Sequence, residues 1–145
     1  MPFEHALEAA RTRFAHNGRF TLHPDESIND VVKREGVPTG KRIYVIFGGD
    51  NAERPLYIGK SGTVNQDGSW KGQTLRKRMT MKQGGISRRH FFGSLMSEEF
   101  NAGLTFQWFV THNETVKTIP ALAELELLQA HFEQFDCLPK LNRCA

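Results

Sequence analysis

A chain of 145 residues, 39% hydrophobic and 24% charged, fits one globular domain with a single apolar core and excludes an intrinsically disordered polymer. No apolar run approaches the ~20 residues of a spanning helix, and Met1-Pro2-Phe3-Glu4-His5 lacks a basic segment followed by an apolar one, so a cytoplasmic protein with no membrane partner is expected. The net charge of +3 is modest, but it is concentrated. Lys71, Arg76, Lys77 and Arg78 form one basic cluster and Arg88 and Arg89 another, the kind of surface a polyanion requires; a solvated cationic face is the plain alternative.

In chain order, Phe3, Leu7, Ala10 and Phe14 recur at helical spacing and predict an amphipathic helix over 3–16. Ser27 to Asp30 resembles a capping box, and Gly36 with Pro38 supplies a stop, so a short helix over 28–35 follows. Arg42-Ile-Tyr-Val-Ile-Phe47 and Leu56-Tyr-Ile-Gly-Lys-Ser61, joined by a polar turn from Gly48 to Pro55, read as a β-hairpin. If the paired residue numbers sum to 101 or 103, Tyr44 and Tyr57 share a face; a slip of one residue separates them. Residues 61–69 read as a polar loop, 73–82 as a basic helix and 88–100 as an apolar one. Leu104, Phe106, Trp108 and Val110 alternate with their neighbours as a third strand.

The last element is a helix with Thr118 as N-cap and Pro120 in its first turn, running to Phe135. Leu125, Leu128, Phe132 and Phe135 are its expected buried stripe, with Glu124 at the margin and Glu126 pointing away. The expected fold is α/β, a small three-stranded antiparallel sheet flanked by helices. Residues 1–40 form an N-terminal helical extension packed on a domain of residues 41–145.

Several chemistries find no support. Gly59-Lys60-Ser61 echoes a phosphate-binding loop, but position 54 is arginine and a glycine-rich loop replaces the helix that should follow. Cys137 and Cys144 are expected reduced, and with His131 they are too few for a zinc site. Glu124 and Glu126 lie on different sides of one helix, which rules against a glycosidase pair.

What remains is Tyr44, Tyr57, Lys60, Arg78, Glu124 and Asn142. Here the chain resembles the GIY-YIG nuclease family. Its first motif stands as Arg42-Ile43-Tyr44, with arginine in place of glycine, and its second is intact as Tyr57-Ile58-Gly59, followed by Lys60. Leu75-Arg-Lys-Arg78 matches the Leu-x-x-Arg helix, Glu124-Leu-Glu-Leu127-Leu128 the glutamate helix, and Pro139-Lys-Leu-Asn142 the end. The resemblance covers about residues 42–142.

It implies a metal-dependent DNA endonuclease. Glu124 would hold one Mg²⁺ or Mn²⁺, with Glu126 as the rival carboxylate. Tyr44 would be the general base, favoured as phenolate by a nearby cation such as Lys60. Arg78 would stabilise the pentacovalent phosphate, Tyr57 would position it, and Asn142 would fasten the chain end. Gly59, Lys71, Arg76, Lys77, Arg88 and Arg89 would meet the DNA. A homodimer or a separate targeting partner would supply target choice. The alternatives are a nucleic-acid-binding protein of the same fold without catalysis, for which Arg42 is the motive, and a purely structural interaction module.

Overall fold

The computed structural model describes residues 2–38, 40–48, 54–71, 82–83, 86–87 and 103–145, with the backbone alone at 71, 82–83 and 86–87. The expected helices over 73–82 and 88–100 therefore lie outside the described residues, except that Lys82 stands in a strand.

The first helix, α1 (Phe3–Arg13), buries Phe3, Leu7 and Ala10. It ends three residues before the expected position, because the Asn17 side chain folds back and donates 2.8 Å to the Phe14 carbonyl, one of the acceptors a helix end leaves open. The chain then enters β1 (Asn17–Leu22), a strand not expected from the sequence. Helix α2 (Ile28–Arg34) follows, with no side-chain cap from Ser27, so the expected capping box does not form. Its C-terminus does follow the glycine signal. Gly36 has φ +62, and the amides of Gly36 and Val37 bond back to Lys33 and Val32, a Schellman closure.

The hairpin is β2 (Arg42–Gly48) and β3 (Tyr57–Ser61). The polar segment after it is not a loop throughout, since β4 (Thr63–Val64) pairs with β5 (Trp70–Lys71). A second small hairpin joins β6 (Lys82–Gln83) to β7 (Ile86–Ser87). The last elements are β8 (Leu104–Val110) and α3 (Pro120–Phe135). Ile119, not Thr118, is the N-cap of α3. Thr118 is occupied elsewhere, its hydroxyl accepting 3.1 Å from Arg13 Nη2.

The main sheet has four antiparallel strands in the order β1-β8-β2-β3, one more than expected. Residues 17–22 carry no strand signal because Asn17-Gly-Arg is polar and lies at an edge, where alternation is weak. Every residue of β2 is buried, because both faces of the sheet are covered. On one face Ile43, Val45, Phe47, Ile58 and Phe109 pack under α1 and α3. On the other, Tyr44, Ile46, Phe106 and Trp108 pack with Val31, Val32 and Val37 of α2 and its C-terminal turn.

The buried side of α3 differs from the expected stripe. Ala123, Leu127, Leu128, Ala130 and His131 are buried, whereas Leu125 and Phe132 are 48% and 50% exposed. The two alanines explain the rotation. Small side chains let α3 approach both α1 and the sheet, and that contact outweighs the larger leucine count of the neighbouring face. Truncation should read out this orientation. Leu127→Ala is expected to cost about 2–5 kcal/mol in urea unfolding, whereas Leu125→Ala should stay within about 0.5 kcal/mol.

His131 is fully enclosed, its ring 5.9 Å from Phe3 and 4.7 Å from Phe135. Nδ1 donates 2.6 Å to the Cys137 carbonyl, and Nε2 has no partner among the described residues. Burial holds the imidazole below its usual pKa, against the opposing effect of the Cys137 carbonyl. The unfolded ring takes up a proton near pH 6.5, and the folded ring only at a lower pH. Stability from this group is thus complete above about pH 6.5 and lost as the pH falls below it. Unfolding midpoints measured about one unit either side of that value should differ, and His131→Phe should shrink the difference.

Candidate functional site

The register settles where the tyrosines sit. In β2 and β3 the paired numbers sum to 103, as in Tyr44 with Gly59 and Ile46 with Tyr57, so both tyrosines share the α2 face. Their ring centroids are 5.7 Å apart at 45°. The Tyr44 ring extends from β2 across β3. A Cβ placed on Gly59 would lie 2.6 Å from Tyr44 Cζ, 2.7 Å from its hydroxyl and 2.8 Å from Tyr57 Cε1. Gly59 is therefore needed to seat the pair, and the space expected for substrate at that position is filled by the two rings.

Tyr44 belongs to a row that crosses the whole sheet. Gly18, Trp108, Tyr44 and Gly59 are register partners in succession. Trp108 lies over Gly18, whose added Cβ would meet the indole at 2.6 Å, just as Tyr44 lies over Gly59. Two central aromatics thus lean outward in opposite directions over glycines on the outer strands. Tyr44 itself is fully buried, and Tyr57 is half-buried.

One row along the same face stands Arg42, 8% exposed, in register with Ser61 and Val110. Its Nη1 donates 2.9 Å to the Lys41 carbonyl, and burial draws its pKa below the ordinary value without removing the charge. The residue that departs from the first motif therefore puts a guanidinium two positions from Tyr44.

Lys60 does not serve Tyr44. It pairs with Ile43 and points to the α1/α3 face, opposite the phenols, because strand side chains alternate. Glu124 is half-buried on α3, and α3 also packs on that opposite face. The expectation that the glutamate faces the tyrosines across one surface is corrected accordingly. Tyr44 reaches toward the β3 edge from one side, while α3 packs against β3 from the other. Any site uniting them lies at that edge. Glu126 is exposed and paired with Arg13 at 3.3 Å.

The same edge is sealed at one place by the chain end. Asn142 accepts from the Ile58 amide at 2.9 Å and donates to its carbonyl at 2.8 Å, and the Leu141 amide bonds to Leu56 O. These contacts satisfy the outer groups of β3 and block strand addition there. Arg78, Arg76, Lys77, Arg88 and Arg89 lie outside the described residues, as does the Lys71 side chain.

Among the described residues no three His, Cys, Asp or Glu side chains converge on one point. One oxygen ligand plus water suits Mg²⁺ or Mn²⁺. A cleft of about 610 Å³ between α1 and α3, lined by Ala6, Ala10, Leu122 and Leu125, is apolar and lies on the far face from the tyrosines. Among the described residues no helix is long and apolar enough to cross a membrane.

Compared with known proteins, the chain matches no family model, no curated protein and no solved structure.

A methyl group at position 59 tests the seating of the pair. Gly59→Ala is expected to cost about 1–3 kcal/mol through overpacking and to change the near-ultraviolet circular dichroism of the tyrosines. An unchanged spectrum and midpoint would contradict the close approach.

Proposed function

We propose that this chain is a GIY-YIG-type endonuclease that hydrolyses DNA phosphodiester bonds with one divalent metal. The observation that carries this reading is the Tyr44–Tyr57 pair, seated on Gly59 and directed to the same β3 edge that α3, the helix of Glu124, underlies. Tyrosines on a sheet are ordinarily packing residues. What sets this pair apart from ordinary packing is the intact Tyr57-Ile58-Gly59 motif that carries it, since Trp108 covers Gly18 in the same way.

In this reading Tyr44 takes the proton from the attacking water, and its phenol needs a cation nearby because its ordinary pKa of about 10 leaves it protonated at neutral pH. Arg42, two residues away on the same face, replaces Lys60 as a cation on that side. Tyr57, the more exposed phenol, orients the phosphate. Arg78 balances charge on the pentacovalent phosphorus. Glu124 would hold the Mg²⁺ or Mn²⁺, which would supply positive charge to a phosphate oxygen. Asn142 fixes the β3 edge from outside and takes no part in the reaction.

A second reading, a nucleic-acid-binding protein that does not cut, is favoured by one observation. Tyr44 is fully buried beside a buried Arg42, so the phenol that should act as base is the one shut off from solvent. Variants discriminate. On supercoiled DNA with Mg²⁺, Arg78→Ala and Glu124→Gln should each lower cleavage by about a hundredfold or more, with unfolding midpoints unchanged. Glu126→Gln should cut as the wild type does. Full activity in Arg78→Ala or Glu124→Gln would overturn the roles given to them.

A further inference from the structure

Beyond the tyrosines, the ends of β2, β3 and β8 carry a second aromatic cluster. The β4/β5 hairpin folds back so that Trp70 lies over Gly62, the residue that follows β3; a Cβ there would sit 3.5 Å from Trp70 Cε3. Lys41 Nζ stands 5.2 Å from the indole centroid, a cation–π distance. The His112 ring lies 5.0 Å from it at 60°, and a backbone bridge joins His112 to Lys117, an exposed cation. Trp70, Lys41 and His112 are each half-buried.

The hairpin that presents Trp70 is held by its own turn. Asn65 and Ser69 pair at 2.7 Å, and the Asp67 carboxylate accepts from the Ser69 amide at 2.9 Å and hydroxyl at 2.6 Å. Those bonds hold the Asp67 pKa below its usual value and commit its charge to the turn. The indole is therefore presented on a preordered support.

Resting on the nuclease reading above, we infer that Trp70, flanked by Lys41, His112 and Lys117, is a stacking site for an unpaired base of the nucleic-acid substrate. Lys41 and Gly62 lie just outside β2 and β3, three positions from Tyr44 and Gly59, a chain distance of about 10 Å. Three nucleotides stacked at about 3.4 Å each cover the same distance. An indole with cations at its face and flank suits such a ligand, because every base has a π-face to stack and phosphates on either side for the lysines. The β4/β5 hairpin thereby becomes the substrate-reading element. It selects DNA in which a base is already unstacked near the scissile bond.

The test uses the full chain in EDTA, so that nothing is cut. Fluorescein-labelled oligothymidine and a blunt duplex of equal length are titrated at one salt concentration and read by anisotropy. Trp70→Ala should weaken oligothymidine binding about tenfold and duplex binding by less than about twofold, and Trp70→Phe, which keeps a ring, should stay within about threefold on both. The chain has two tryptophans, the other being the enclosed Trp108, so oligothymidine should also quench indole emission in the wild type and not in Trp70→Phe. That measurement stands even where Trp70→Ala fails to fold. Equal losses on both probes, or a quench that persists in Trp70→Phe, would overturn the stacking site. If the wild type cuts DNA yet Trp70→Ala binds oligothymidine unchanged, the stacking site alone falls. If the wild type neither binds nor cuts, the nuclease reading falls with it.

Discussion

Two aromatic rings leaning over two glycines hold this sheet in its working shape. Trp108 and Tyr44 are register neighbours on the central strands, and each covers a glycine on the strand outside it. A side chain at Gly18 or Gly59 would collide with the ring above it, so the row tolerates only the smallest residue at its ends. In return the aromatics supply the apolar area that two edge glycines cannot, the familiar compensation for glycine in an edge strand. Around this row the α2 face closes, with Phe20 stacked on Phe106 at 4.9 Å and the valines of α2 above.

The row also directs the Tyr44 phenol. Because Tyr44 leans outward, its hydroxyl leaves the centre of the sheet and approaches the β3 edge, and Tyr57 follows on the same face. On the opposite face the alanines of α3 allow that helix to lie close under β3. The β3 edge thus has a phenol pair on one side and the helix of Glu124 on the other. Leu141 and Asn142 close part of it.

Much of this was legible in the residues alone. The hairpin was legible, and alternation with its period of two reduced the shared face of Tyr44 and Tyr57 to a choice between odd and even register; with β2 apolar on both faces, only the structure fixes that register. Strand β1 was not legible, because Asn17, Gly18 and Arg19 carry no alternation, and the reason for Gly18 lies in a ring ninety residues away. The orientation of α3 was misread for a different cause. Counting leucines locates the bulkier face, while Ala123 and Ala130 mark the face that can approach most closely. Lys60 was assigned to the phenols by proximity in sequence, whereas the pleat sends it to the other side. Neither Asn142's clamp on Ile58 nor the Trp70 cluster could be read from spacing, since both depend on how the chain returns to strands it left long before.

Metal-dependent hydrolysis at the β3 edge is the central proposal. Its most direct test is the conversion of supercoiled plasmid to nicked circles by the purified wild-type chain, with Mg²⁺ and with EDTA. Nicking that needs Mg²⁺ and stops in EDTA is the predicted result. Retention of the plasmid at low salt with no nicking under either condition would contradict it and leave binding as the function.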